Sequence, residues 1–523
     1  MERCVHKNLY NYITANNLLT HHQSGFIRGD STVNQLAYIY NDICRAVDDG
    51  KEVRAVFCDI SKAFDRVWHR GLLFKLDHLG IQGNLLSWFK SYLSARKQRV
   101  VYANTSSSWC NVSAGVPQGS ILGPLLFLLY INDIVSHINS NIKLFADDTS
   151  MYIIVNDPTD STAIINQDLD TVLNWSHTWL VSFNPSKTET IIFSRKSNKP
   201  DHPDLLFNNV CLNPVSDHKH LGLTLSKDCK WNSHITSMVN KAWARLGCLR
   251  SFKYTLNKSC LETLYIMFVR PLLEYGDVVW DNCTEQQKSD IEAVQIDAAR
   301  IITGATKYCN TASLYAELNM QPLTDRRKQH KLTLLFKMKN NLVPNYICNL
   351  IPNAPDHRYP LRNQNAIPLI ACKTQLYKSS FLPSAIRSWN SLPSTVTSQP
   401  TVSSFKRSIN PNRRNNSNAY LYAGLRKNQI LHTRLRLSCS SLNHDLHRRS
   451  LIDSPLCSCG HIETVSHYLL SCTNYSAHRT NYLSNLPCVP TVANLLFGDE
   501  HLSSDLNEQV ILQVHKYSGD TTL

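Results

Sequence analysis

Ile142-Lys143-Leu144-Phe145-Ala146-Asp147-Asp148-Thr149-Ser150-Met151-Tyr152-Ile153-Ile154-Val155 sets two adjacent carboxylates between two apolar runs. Such runs read as strands, and the acidic pair as the turn of the hairpin they make. Two like charges a few ångström apart repel, and a half-buried setting worsens the repulsion. Solvation of the turn would relieve it. So would a divalent cation, because hard Mg²⁺ takes oxygen ligands and is held by one or two carboxylates together with substrate phosphates. A lone Asp-Asp pair reads as a solvated turn; here the surroundings favour the cation.

A second strand, Val53-Arg54-Ala55-Val56-Phe57-Cys58-Asp59-Ile60, also ends on a carboxylate. After it, Ser61 can cap a helix whose apolar positions Phe64, Val67, Trp68, Leu72, Leu76 and Leu79 recur at spacings of three and four. If this strand lies beside the hairpin, Asp59, Asp147 and Asp148 converge on one face. That is the arrangement for a two-metal site driving in-line displacement at phosphorus. Between the two acidic strands, Ser113-Ala114-Gly115-Val116-Pro117-Gln118-Gly119-Ser120 leads into the apolar stretch Ile121–Ile131. The glycines allow close backbone approach to a ligand, and Gln118 offers an amide donor and an acceptor for a base or sugar edge. The plainer reading of this segment is a tight turn before a buried helix.

Composition narrows the classes. With 523 residues, 43% hydrophobic and 18% charged, the chain has material for two to four domains with real cores and is not disordered throughout. The longest apolar run, Ile121–Ile131, contains Gly123 and Pro124 and is shorter than the roughly 20 residues a bilayer demands, so no membrane partner is expected. Met1–His6 has no apolar run of the kind a signal peptide carries. Seventeen scattered cysteines fit reduced thiols in a cell interior. The net charge of +14 is uneven. Residues 1–190 hold 16 Lys and Arg against 17 Asp and Glu, whereas residues 406–450 hold 10 against Asp445 alone. A basic segment of this kind is the footprint of a polyanion partner, or a solvated surface. Asn410-Pro411-Asn412-Arg413-Arg414-Asn415-Asn416-Ser417-Asn418 is the best linker candidate.

Near the end, Cys457, Cys459, His467 and Cys472 are spaced C-x-C-x7-H-x4-C. Three thiolates and one imidazole make a closed tetrahedral Zn²⁺ site; buried free cysteines are the alternative. His461 and His478 sit at less suitable offsets. With Arg434, Arg436, Arg448 and Arg449 upstream, the cluster is expected to grip RNA or target DNA through phosphates.

Taken in order, Gln23–Leu36, Phe57–Asp65, Gly115–Ser120, Phe145–Asp148, Phe183–Thr188, His220–Leu223 and Pro271–Gly276 resemble the reverse transcriptase of non-LTR, LINE-type retrotransposons, of a jockey-like kind. The resemblance implies an α+β right-hand polymerase with fingers, palm and thumb, an antiparallel palm sheet, a helical thumb and a small C-terminal zinc knuckle. The implied domains are 1–232 for fingers and palm, 233–325 for the thumb, 326–410 for a post-thumb connector, and 420–500 for the basic segment and knuckle. It also implies an RNA-directed DNA polymerase using two Mg²⁺ ions at Asp59, Asp147 and Asp148, an RNA template, a DNA primer that is the nicked target, and dNTPs. Phe64 would exclude a ribose 2′-hydroxyl, Gln118 and Gly119 would touch the nascent base pair and template, and Lys187 would sit near the leaving triphosphate. Arg28 would face template or triphosphate, and Asp65 would be structural. Nuclear and cytoplasmic residence is expected from the family. The segment Ser379–Pro393 resembles the family's post-thumb region, where Trp389 would stack on a base or, more ordinarily, pack on Phe381. The family's polymerase usually begins before the present Met1, so the chain reads as N-terminally truncated, and a catalytically impaired remnant that only binds nucleic acid is the alternative function.

Overall fold

The computed structural model describes residues 1–198, 200–353, 366–410 and 419–521. The proposed linker lies outside the described residues, save Asn410. The chain forms two compact units. One comprises residues 1–234, 278–282 and 331–402; the other comprises 235–277, 283–330 and 403–523.

The first unit is built on a five-stranded sheet: β1 (Glu52–Cys58), β2 (Asn141–Phe145), β3 (Asp148–Val155), β4 (Glu189–Phe193) and β5 (Asn213–Pro214), in the order β5-β4-β1-β3-β2. Every pairing is antiparallel except β5 with β4. All seven residues of the central β1 are buried, which is why its sequence is a nearly continuous apolar run rather than an alternating one. Its two ionisable side chains have polar partners inside: Arg54 donates to the Thr162 hydroxyl at 2.7 Å, and Glu52 meets His202 at 3.2 Å. Three helices cover the sheet. α1 (Thr32–Asp48) starts where the Ser31 side chain accepts from the Asn34 N–H. α2 (Leu122–Ile131) is apolar on all sides, and nine of its ten residues are buried. α3 (Pro158–Thr178) is capped by Asp157, with proline at its first position.

The helix expected to be capped by Ser61 begins later, at His69–His78. Lys62 takes a left-handed φ of 51°, and Ala63–Arg66 forms one 3-10 turn. The reason is tertiary. The carbonyls of Phe64 and Val67 each accept a backbone N–H, from Val116 and Gly115, at 2.8 Å. A continuous helix would have used those carbonyls internally.

From residue 331 to 402, the chain packs into this same unit. Asp48, at the end of α1, accepts from the backbone N–H groups of Lys373 and Thr374 and from the Thr374 hydroxyl, at 2.6–3.1 Å. Trp389 is 1% exposed, and its ring lies 6.3 Å from that of Phe336, so it belongs to the core and is closed to base stacking.

The second unit is helical. α4 (Asn232–Ser251) leads into it from the first unit; α5 (Glu285–Thr303), α6 (Arg426–Arg436) and α7 (Ser504–Asp520) lie within it. α5 opens on a reciprocal Thr284/Gln287 cap and closes on Gly304 at φ 78°. Leu435, Leu442, Tyr468, Leu469, Val510, Val514 and Tyr517 share one core. Arg436 departs from expectation. Its side chain is fully buried, 2.5 Å from Glu317, and hydrogen-bonded to His432 and Thr433. A guanidinium neutralised inside the fold cannot meet phosphates. Among the described residues, no helix is long and apolar enough to cross a membrane.

Candidate functional site

Register decides where the aspartates go. β1 pairs with β3 so that Cys58 faces Thr149, which puts the next residue, Asp59, at the same sheet end as Asp148. β2 pairs Phe145 with Asp148, leaving Ala146 and Asp147 as the tight connection. The charges feel one another. Partial burial, and then the charge of Asp59, raises the Asp147 carboxyl above its ordinary value. Asp148 is pushed up to about 6 by partial burial and then by Asp147 and Asp59, although one side of it stays open to solvent. Carboxylates gathered at one sheet end, two of them raised above their ordinary value by burial and like charge, are donors of the kind a hard divalent cation takes.

The turn that carries Asp147 is held from behind by residues whose role the sequence did not reveal. The His22–Gly25 segment lies along β2, with Leu144 N–H donating to His22 O and Ser24 N–H donating to Leu144 O, both at 2.9 Å. Gln23 is 5% exposed, and its Oε1 accepts from the N–H groups of Gly25 at 2.7 Å and Ala146 at 2.9 Å. This fixes Ala146 in its left-handed conformation, φ 54°. Gly25 is tighter still: a Cβ there would stand 2.2 Å from the Ala146 nitrogen. Gly25→Ala is therefore expected to lower stability by about 1–3 kcal/mol or more, because backbone must move to admit one methyl. The denaturant midpoint checks this; an unchanged midpoint would mean that the turn is not clamped.

Asp59 is fixed by a second segment. Its carbonyl accepts the Asn184 N–H at 2.9 Å, and Ser61 N–H donates to Ser182 O at 2.9 Å. The same loop brings the Lys187 ammonium to 3.9 Å from the Asp59 carboxylate, both largely exposed. Phe64 is half-buried, stacked on Phe127 at 4.6 Å and edge-on to Phe26 at 6.3 Å. Gln118 is not free in this state: its Nε2 donates to Asp65 at 2.9 Å. A Cβ at Gly115 would lie 2.7 Å from the Asp65 carbonyl oxygen, so glycine is needed where these loops touch. Gly119 has φ 79° and open space around its Cα. Arg28 is exposed, its guanidinium 5.4 Å above Tyr10. Beside β1, His218 stacks on Phe57 at 3.8 Å and bonds Glu189 at 2.6 Å.

The C-terminal quartet converges as its spacing suggests. One ligand atom from each of Cys457, Cys459, His467 and Cys472 lies within 4.8 Å of all the others. Cys457 and Cys472 sulfurs are 3.6 Å apart, Cys459 and Cys472 3.8 Å, and Cys459 stands 3.1 Å from His467 Nε2. Tetrahedral Zn–S bonds of about 2.3 Å place two sulfurs roughly 3.8 Å apart, so the quartet fits zinc. The Cys457–Gly460 turn is closed by Gly460 N–H to Cys457 O at 2.9 Å, and Cys457 N–H donates to His461 O at 2.8 Å. His461 stacks on His467 at 5.6 Å and stands outside the quartet.

The family described as reverse transcriptase (RNA-dependent DNA polymerase) matches residues 1–225. Over 340 residues, the chain is 30% identical to a probable RNA-directed DNA polymerase from transposon BS of Drosophila melanogaster, an overlap of 63% of this chain and 37% of that one. It is 27% identical to the RNA-directed DNA polymerase from mobile element jockey of the same organism, over 68% and 39% of the two chains. It is 23% identical to the Pol polyprotein of type-1 retrotransposable element R1 of Bradysia coprophila, over 87% and 43%. The chain thus spans about two fifths of the length of the curated relatives it matches. Among solved structures, apo telomerase from Candida tropicalis aligns with TM-score 0.35 and 11% identity, over 60% of this chain and 51% of that one.

Proposed function

From the match of residues 1–225 to the reverse transcriptase family, we propose that the chain is the polymerase portion of a non-LTR retrotransposon protein, copying RNA into DNA from a DNA 3′-hydroxyl. The observation that supports it most is the strand register that brings Asp59, Asp147 and Asp148 to one end of the central sheet, where partial burial and neighbouring carboxylates raise the Asp147 and Asp148 carboxyls. Those three residues would hold Mg²⁺, two ions in the full reading, and the metal would supply charge neutralisation at the attacking and leaving oxygens. The protein's own groups do the rest. Gln23 and Gly25 hold the Asp147 turn in place, and Asn184 holds Asp59. Lys187, already drawn to the Asp59 carboxylate, would move to the triphosphate and donate a proton or charge as pyrophosphate leaves. Gln118 would exchange its bond to Asp65 for the nascent base pair. In this reading the primer is a nicked target strand, the zinc quartet is structural, and dNTPs, template RNA and target DNA are the partners.

The test is extension of a labelled DNA primer on an RNA template by the purified chain with dNTPs and Mg²⁺. Absence of any extension by intact, metal-loaded protein, on RNA and on DNA templates alike, would sink the reading.

Phe64 gives a sharper readout. Its ring is held between Phe127 and Phe26, so it cannot swing away to admit an additional oxygen. Phe64→Val should raise ribonucleotide incorporation relative to deoxyribonucleotide by roughly 10-fold or more while sparing dNTP use, since excluding one hydroxyl is a steric term of this size. Equal selectivity in both proteins would remove Phe64 from the sugar site.

A further inference from the structure

The second unit carries a charged and aromatic surface that the polymerase site does not use. At its centre is Arg426, 8% exposed, whose guanidinium ties the turn after α4 to the end of α5: Nε donates to Lys253 O at 3.0 Å, and Nη2 donates to Ile301 O and Ile302 O at 3.1 and 2.6 Å. Its Nη1 is buried with no hydrogen-bond partner among the described residues. About two helical turns further along α6, Arg434 Nε donates to Gly304 O at 3.0 Å. These bonds gather the 252–256 turn, the 304–309 loop and α6 into one rim. Burial, and then repulsion from Arg434 and Arg426, lowers the Lys253 ammonium below its usual value. Of the carboxylates, Asp297 reaches Lys253, but it is already paired with Arg250 at 2.5 Å. Positive charge is therefore in excess here.

Aromatic rings stand among these cations and face outward. Tyr254 is 65% exposed with the Lys253 ammonium 5.4 Å from its ring, and Phe252 beside it is 48% exposed. Tyr308 is 45% exposed and lies between two cations, Lys307 at 5.0 Å and Arg449 at 5.7 Å. Arg449 is anchored through Ser438 O at 2.5 Å, and Arg300 fixes the loop by donating to Lys307 O at 3.1 Å. An exposed ring by itself needs no partner, but rings interleaved with fixed cations are what unstacked bases on a phosphate chain recognise. A duplex hides its base faces and could use only the charges. An acidic protein would likewise leave the ring faces without a specific role.

We propose that Lys253, Tyr254, Lys307, Tyr308, Arg434 and Arg449 form a binding track for single-stranded nucleic acid on the second unit, with the cations on phosphates and the tyrosines stacked on bases. The proposal rests on the reading of the chain as a nucleic-acid enzyme, but not on its carboxylates, so the two can fail separately. The experiment is fluorescence anisotropy of the full chain with a labelled single-stranded RNA of about 20 nucleotides, without Mg²⁺ or dNTPs, over a range of salt. Tyr308→Ala should weaken binding about 10-fold, and Tyr308→Phe should restore it, because stacking needs the ring and not the hydroxyl. Lys253→Ala with Arg449→Ala should flatten the slope of log affinity against log salt by about 0.7 for each cation removed. Melting curves show that each variant is folded, and Tyr308→Phe keeps the question open to test if Tyr308→Ala is not. Equal affinity and slope in all folded variants would overturn the track. So would equal weakening of RNA and heparin binding by Tyr308→Ala, which would make the surface a general polyanion site.

Discussion

Asp147→Asn is expected to abolish primer extension while leaving the protein folded. Asn keeps the volume and removes one charge, so the backbone of the 146–147 turn, held by Gln23 and abutted by Gly25, has no reason to move. On the proposed function, the substitution removes a carboxylate that would hold a hard cation and so neutralise charge at phosphorus, and its loss should reduce the rate by at least about 10³-fold, roughly 4 kcal/mol of barrier. Asp59→Asn should do the same. Stability should move the other way. Asp148 has a carboxyl raised to about 6, so between its ordinary value near 4 and about 6 the folded state binds more protons than the unfolded state. In that window the metal-free protein loses stability as pH rises. Neutralising one member of the group should therefore raise the melting temperature of metal-free protein at pH 7, and Mg²⁺ should stabilise the unaltered chain more than the variant. Full extension by Asp147→Asn, or a lower melting temperature without metal, would show that these carboxylates are not a strained cation site.

Removal of zinc should have the second largest effect. Tyr468 and Leu469, between His467 and Cys472, sit in the second unit's C-terminal core, and the Tyr517 hydroxyl of α7 donates to Tyr468 O at 2.6 Å. The quartet therefore anchors a segment on which the core depends. Isolated zinc-finger peptides draw about 10–16 kcal/mol from their metal; here the shared core makes that an upper bound, and several kcal/mol is expected. One equivalent of zinc should leave on chelation, with an early melting transition and loss of the Tyr468–Tyr517 packing in near-ultraviolet circular dichroism. His467→Ala should mimic chelation, and His461→Ala should not, because His461 only stacks on the ligand ring. Zinc retained by His467→Ala but lost from His461→Ala would reassign the fourth ligand.

The difference between what was legible and what was not follows from the range of the interactions. Strand β1, the acidic hairpin, α2 and the zinc quartet announce themselves locally, because apolar runs, adjacent carboxylates and ligand spacing are properties of neighbouring residues. The helix start at Ser61 was misplaced because the competing bonds, from Gly115 and Val116 to the 64–67 segment, come from about 50 residues away. Arg436 illustrates the same limit. In sequence it is one more cation in a basic stretch; in the fold Glu317, over 100 residues distant, neutralises it. Gln23 carried a motif but no assigned task, since its partner is the turn at Ala146.

By itself, the order of residues determined which side chains could carry the chemistry and the zinc, since those depend on residue type and short spacing. The tertiary structure alone decided that Cys58 pairs with Thr149, bringing Asp59 to the hairpin, and which basic residues remain exposed. Strand register and charge compensation are set by partners distant along the chain, and no local pattern encodes them.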